Sequence, residues 1–321
     1  MNSTSRLTKE SAHQFLSGIL LPITTPFRSD ETIDSQGLAS NIEKWNRAGI
    51  TGYVVLGSTG ERVNLDEREY LEVIETARGA VPDSLTFIVG AGQQSTRTTI
   101  AEIKRAAKAG AEAALVITPH YYRAAITQEA LVDHYREVAD ASPVPIILYS
   151  MPDLTGIKIE PETAARLSEH QNIIGMKDSS NEFEKLRETV RLSNKNFAMT
   201  IGNGTVFAEA LQAGARGGIL AVGCCAPEIC LEIYRAAQAG EVDRAAGLQE
   251  KLTPLARAVT KTYGIGGLKT AMEMAGYVGG AVRVPLRRPS AEATAQIRTL
   301  LNETTAAIVS EPLAKVSEAR S

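Results

Sequence analysis

Three stretches of this chain repeat one grammar: RAGITGYVVLG (residues 47–57), KAGAEAALVIT (108–118) and QAGARGGILAV (212–222). Each ends a helical pattern on a glycine, turns within a few residues and enters an apolar, β-rich run. A glycine supplies the left-handed conformation that closes a helix, and a turn this short is the usual helix-to-strand connection. An uninterrupted apolar run is the pattern of a strand buried on both faces, as in a parallel sheet. Working outward, the same grammar yields eight runs: GILLPITTPF, GYVVLG, LTFIVGAG, AALVITP, VPIILYSMP, IIGMKDSS, NFAMTIGNG and GGILAVG. Helical patterns follow them, among them DEREYLEVIETARGA, TRTTIAEIKRAAKAG and TQEALVDHYREVAD, where Leu131, Tyr135 and Val138 recur at helical spacing.

Strict alternation of strand and helix calls for a parallel sheet with crossover helices. Eight units in 321 residues favour a closed (β/α)8 TIM barrel. An open dinucleotide-binding sheet is disfavoured because no G-x-G-x-x-G follows the first strand. The expected organisation is a mobile N-terminal segment (1–17), the barrel (18–240), a C-terminal helical extension (241–310) and a mobile tail (311–321).

A net charge of −3 gives no reason to expect a nucleic-acid partner. No apolar run is long enough to span a membrane, and MNSTSRLTKESAHQF lacks the apolar core of a signal peptide. The three cysteines all lie in GCCAPEIC (223–230) without a second ligand pair, and the four histidines are scattered. Reduced, buried thiols, a cytoplasmic location and the absence of a bound metal are expected.

In a barrel of this kind the chemistry gathers where strands end. Those positions hold Thr24 and Thr25, then Ser58, Thr59 and Glu61 in GSTGE, then His120, Tyr121 and Tyr122. Tyr149 and Ser150, Lys177 and Ser179, and Gly202 and Asn203 follow. Lys177 ends an apolar run, an unusual place for a residue so rarely buried. A lysine amine attacks a ketone only in its neutral form, which apolar surroundings favour. The resulting iminium stabilises a carbanion on the adjacent carbon, so carbon–carbon bonds can be made or broken without a metal. Tyr149 is the candidate proton shuttle, with a hydroxyl relay through Ser58 or Thr59 to Tyr121. The glycines and hydroxyls of GSTGE suit a carboxylate. Taken singly, a strand-end lysine is more often a solvated surface group, a strand-end tyrosine is more often packing, and GSTG is more often a plain turn.

Taken together and in order, GSTGE (57–61), TPHYY (118–122), ILYSMPDLTG (147–156) and GMKDSS (175–180) resemble the dihydrodipicolinate synthase and N-acetylneuraminate lyase superfamily of pyruvate-dependent class I aldolases. The resemblance runs from about Gly18 through the C-terminal helices. It implies a barrel in a homotetramer, with no cofactor beyond a covalent lysine imine. It implies Lys177 as the Schiff-base lysine and Tyr149 as the acid/base. Ser58, Thr59 and Gly57 would hold the pyruvate carboxylate, and Ser179, Gly202 and Ile219 would line the pocket. Either Tyr121 or Tyr122, with Tyr121 preferred, would reach a neighbouring subunit's site.

Two departures bear on the substrate. Dihydrodipicolinate synthases usually place an arginine two residues after the proline of the YxxP segment, where it binds the carboxylate of aspartate semialdehyde; this chain has Leu154. Sialic acid lyases carry an acidic pair after the seventh strand; this chain has GNGT (202–205). The segments HYYR, VADASPVPIILYSMP and GIGGLKTAMEMAGYVGG look nearest to the 4-hydroxy-2-oxoglutarate aldolase branch, with 2-keto-3-deoxy sugar acid aldolases close by. The expected reaction is therefore cleavage of a 2-oxo-4-hydroxy acid to pyruvate and an aldehyde. The alternatives are condensation of pyruvate with aspartate semialdehyde, as in 4-hydroxy-tetrahydrodipicolinate synthase, and a non-catalytic 2-oxo-acid sensor.

Overall fold

A computed structural model describes residues 10–309. All eight expected runs form strands: β1 (Gly18–Pro22), β2 (Gly52–Val55), β3 (Thr86–Ala91), β4 (Ala113–Ile117), β5 (Ile146–Ser150), β6 (Ile173–Asp178), β7 (Ala198–Ile201) and β8 (Gly217–Ile219). They pair in parallel in chain order, and β8 closes on β1 as a barrel. The three repeated glycines, Gly49, Gly110 and Gly214, all have positive φ, as helix-closing residues require.

The crossover helices begin where local chemistry tells them to. Asp66 and Glu69 form a reciprocal capping box at the start of Glu67–Ala80. Ser95 caps Thr96–Lys108 and Thr127 caps Gln128–Ala141. Leu131, Tyr135 and Val138 are fully buried on the face of the last helix that meets the sheet. Burying each such side chain contributes roughly 1.5–3 kcal/mol.

Inside the barrel, Leu20, Val54, Ile88, Leu115, Ile147 and Ile219 form one apolar cluster with Tyr149 at its upper end. The floor of that cluster comes from within the expected N-terminal segment 1–17. A short helix, Ala12–Phe15, and the following Leu16 pack into the barrel interior, with Ala12 and Leu16 fully buried. Residues 10–17 are thus a plug, while 1–9 lie outside the described residues, as does the expected tail at 311–321.

The C-terminal extension comprises helices Val242–Arg257, Gly264–Met274 and Ala291–Val309, with a wide π turn at Ala258–Thr262 joining the first two. Its Tyr277 and Val278 dock on the helix Ser35–Trp45, which joins β1 to β2. Tyr277 stacks on Trp45 with ring centroids 5.1 Å apart, and Asn41 exchanges two hydrogen bonds with the backbone of Val278. Among the described residues, no helix is long and apolar enough to cross a membrane. The three cysteines are buried free thiols; burial pushes Cys225 up to about 12 and Cys224 and Cys230 upward as well. Thiols held protonated in this way are packing, not nucleophiles.

Candidate active site

Register places the central pair. Ile117 of β4 pairs with Tyr149 of β5, Tyr149 with Lys177 of β6, and Lys177 with Thr200 of β7. Register partners on parallel strands project to the same side of a sheet, so this row faces the barrel interior. Lys177 joins the row only because the β5–β6 register slips: Ile146 pairs with Ile173, but Ile147 pairs with Gly175, leaving Ile174 extra. Without that irregularity Met176 would oppose Tyr149 and Lys177 would turn to the outer face. A bulge that re-aims one side chain at a functional position is a familiar device.

The two side chains meet as the row predicts. Lys177 Nζ lies 4.4 Å from the centroid of the Tyr149 ring, and both residues are 4% exposed. The Tyr149 hydroxyl lies 3.2 Å from Ser58 Oγ, with either oxygen able to donate. A buried amine, a phenol and a serine hydroxyl thus converge at the mouth of an apolar barrel. Gly202 and Ser179 complete the lysine's surroundings. A Cβ at Gly202 would lie 2.0 Å from Ser179 Oγ and 2.7 Å from Lys177 Cε, so only glycine leaves the lysine its place. Ile219, the last residue of β8, is fully buried in the same apolar cluster as Tyr149.

The GSTGE loop is held under strain. Leu56 (φ 59°) and Glu61 (φ 54°) are both left-handed and bracket the short 3-10 turn Ser58–Gly60. A left-handed leucine is a genuine outlier that persists only where its surroundings enforce it. The enforcement is visible. Gly90 of β3 lets the loop close in, since a Cβ there would lie 2.1 Å from the Leu56 carbonyl oxygen. Thr25 Oγ1 donates to the Gly60 carbonyl at 2.8 Å. The first N–H groups of such a turn have no partner within it, which suits the carboxylate role expected for Gly57, Ser58 and Thr59.

Glu61 is anchored from the extension by residues that the sequence reading did not single out. Lys269 Nζ lies 2.6 Å from Glu61 Oε1, and both side chains are essentially inaccessible. Lys269 also donates to the Ala281 carbonyl at 2.6 Å and sits 4.5 Å from the Phe27 ring centroid. Burial lowers the affinity of Lys269 for its proton and Glu61 opposes that shift. Arg283 donates to the Asn64 carbonyl and ion-pairs with Glu69, whose carboxyl it holds below the usual carboxylate range. A signal existed: Lys269 is a lysine inside the apolar stretch GIGGLKTAM, the same anomaly that marks Lys177.

Tyr121 and Tyr122 stand apart from this cluster. They are 75% and 71% exposed and pack edge-to-face on each other, ring centroids 5.0 Å apart. Among the described residues neither hydroxyl bonds Ser58, Thr59 or Tyr149, so the hydroxyl contacts link Tyr149 to Ser58 and extend no further within the protomer. Gln94 Oε1 accepts from the N–H groups of both His120 and Tyr121 at 2.9 Å and fixes their loop. Leu154 is 58% exposed in the loop after β5. Among the described residues no group of three or more His, Cys, Asp or Glu is placed to hold a metal.

The chain matches the dihydrodipicolinate synthetase family over residues 15–304. A 4-hydroxy-tetrahydrodipicolinate synthase of Methanothrix thermoacetophila is 35% identical over 287 residues, 89% of this chain and 96% of that one. The enzyme of the same name from Thermodesulfovibrio yellowstonii is 35% identical over 269 residues, 84% and 91% of the two chains. Among solved structures, dihydrodipicolinate synthase from Thermotoga maritima superposes with a TM-score of 0.85 at 29% identity, covering 91% of this chain and 99% of that one. The Bacillus anthracis dihydrodipicolinate synthase gives 0.86 at 26% identity, covering 93% and 99%.

Proposed function

The chain belongs to the dihydrodipicolinate synthetase family, whose members are class I lysine Schiff-base lyases and aldolases, and from that premise we propose that Lys177 carries pyruvate as an imine at the mouth of this barrel. The observation that supports this most is the convergence of the buried Lys177 and Tyr149 with the half-buried Ser58. The Lys177 amine adds to the 2-oxo carbon, and the carbinolamine loses water to give the imine. Loss of a proton from C3 gives the enamine, whose electron pair forms the new carbon–carbon bond with an aldehyde carbon. Tyr149 gives and takes protons at the carbinolamine and at the oxygen of the aldehyde, exchanging them with Ser58. Addition of water to the imine of the coupled product then restores the 2-oxo group and frees Lys177; in the cleavage direction the enamine first regains a proton at C3, and the same hydrolysis releases pyruvate.

For the second substrate, the names of the similar proteins support condensation of pyruvate with aspartate semialdehyde better than the cleavage expected from sequence. We adopt condensation as the first reading. One observation favours the other: Leu154, exposed in the loop after β5, stands where an arginine is usual in dihydrodipicolinate synthases. In that second reading the 4-hydroxyl of a 2-oxo-4-hydroxy acid, such as 4-hydroxy-2-oxoglutarate, gives up its proton. The C3–C4 bond then breaks, an aldehyde leaves and the pyruvate enamine remains on Lys177. Initial rates with pyruvate plus aspartate semialdehyde, and with 4-hydroxy-2-oxoglutarate alone, separate the two. Turnover of the semialdehyde supports the first; cleavage without semialdehyde turnover overturns it in favour of the second.

The exposed Tyr121 fits the same reading if it serves a neighbouring protomer. A homotetramer in solution, with loss of activity in Tyr121→Ala, would support that; a fully active monomer would exclude it.

A further inference from the structure

We infer that Arg123 supplies the cation that selects the aldehyde substrate, and that this aldehyde carries a carboxylate. The inference rests on the Schiff-base reading above and adds to it the chemical class of the second substrate. Arg123 follows Tyr122 in the loop after β4 and is exposed. β4 and β5 are paired neighbours, and Ile117 lies in register with Tyr149, so the loops after these strands share one side of the mouth.

The two loops touch through Arg123. An added Cβ at Gly156 would lie 3.1 Å from each of Arg123 Cδ, Nε and Nη1, so the guanidinium lies flat along this residue. Gly156 has φ 69° and closes the short helix Pro152–Thr155, which contains Leu154. The absence of a side chain at 156 therefore makes the bed on which the arginine rests. A planar cation is brought from the β4 loop to the loop where residue 154 offers only a leucine.

Its charge is not used elsewhere. Among the described residues, no acidic side chain pairs with Arg123 and its guanidinium has no hydrogen-bond acceptor. The acidic residue nearest in sequence within the Leu154 loop, Asp153, faces Lys261 of the extension at 3.7 Å. A guanidinium held on a glycine bed, with its donors uncommitted, is suited to bidentate recognition of a carboxylate. The GSTGE loop would take the carboxylate of pyruvate and Arg123 that of the aldehyde, so one substrate terminus meets each side of the mouth. Aspartate semialdehyde and glyoxylate, the aldehyde released from 4-hydroxy-2-oxoglutarate, both satisfy this requirement. A 2-keto-3-deoxy sugar acid, whose aldehyde half is neutral, does not.

The test compares wild type, Arg123→Gln and Arg123→Lys in pyruvate addition to aspartate semialdehyde, to glyoxylate and to neutral propanal. Borohydride trapping of pyruvate is measured on each protein in parallel. The glutamine variant should lose about 10- to 100-fold in kcat/KM toward the carboxylate-bearing aldehyde, the size of one charge-assisted contact, mostly through KM. The ratio of that value to the one for propanal should fall by the same factor, and lysine should restore part of it. An unchanged ratio, or a wild-type enzyme that adds only neutral aldehydes, overturns the inference while pyruvate trapping persists. Absence of a pyruvyl adduct in the wild type is a different failure: it overturns the Schiff-base reading itself.

Discussion

Lys177 and Tyr149 are register partners on adjacent strands, and the amine of one lies 4.4 Å from the centroid of the other's ring. The phenol body supplies an apolar, electron-rich wall for the lysine, and its hydroxyl reaches Ser58. In the proposed mechanism one residue therefore shapes the nucleophile's pocket with its ring and handles protons with its oxygen. The two roles can be separated by substitution.

Tyr149→Phe keeps the ring and deletes the oxygen. Steady-state kinetics should show kcat reduced by about 10²- to 10⁴-fold, the usual contribution of a positioned acid/base. Thermal unfolding should reveal a loss of no more than about 1.5 kcal/mol, that of one hydrogen bond. A variant with near-normal kcat would remove Tyr149 from the proton path.

Gly202→Ala tests the space around the lysine. The new methyl group would overlap Ser179 Oγ and Lys177 Cε, both of which can swing aside. Folding should survive, while displacement of the amine lowers kcat by about 100-fold. Normal turnover with the alanine in place would mean that Lys177 works from another position.

The Glu61–Lys269 pair ties the strained loop to the extension. Lys269→Met leaves a buried carboxylate unpaired and should cost about 3–5 kcal/mol in denaturant unfolding. The double variant Glu61→Leu/Lys269→Met removes both charges and should regain much of that stability. It should nevertheless show a raised KM for pyruvate, because the turn carrying Ser58 and Thr59 has lost its anchor. A double variant with unchanged KM would reduce the pair to a structural role.

His134 sets an acid limit on stability. It is 7% exposed; Nδ1 lies 3.0 Å from Thr96 Oγ1, and Nε2 has no partner among the described residues. Burial lowers its pKa from the usual 6.5 to about 4. Between these values the unfolded chain binds a proton that the native state refuses, so stability falls as pH drops from 6.5 toward 4. The cost approaches roughly 3 kcal/mol at the lower end. Melting curves of His134→Gln across this range should decline less steeply than those of the wild type; parallel declines would contradict the assignment.

How much of this was legible depended on whether the signal was local. The strands were readable because each is a short apolar run, three of them entered from a helix-closing glycine. Lys177 was readable because a charge ends such a run. Its direction was not: the extra residue Ile174, which brings Lys177 into the row of Tyr149, leaves no mark in the alternation of a doubly buried strand. The plug at Ala12–Leu16 was missed because five residues beside a polar terminus carry no periodicity to read. Lys269 lies in the extension, away from any strand end, although a lysine in GIGGLKTAM poses the same question as one in IIGMKDSS. The seat of Arg123 on Gly156 joins residues 33 positions apart and exists only once β4 and β5 are paired.

Everything proposed for this site turns on Lys177 forming the covalent intermediate with pyruvate. Incubation with pyruvate, reduction with borohydride and peptide mapping by mass spectrometry test it directly. A pyruvyl-derived adduct is expected on Lys177 and none on Lys269. An unmodified Lys177, under conditions that trap an established aldolase of this kind, would contradict it.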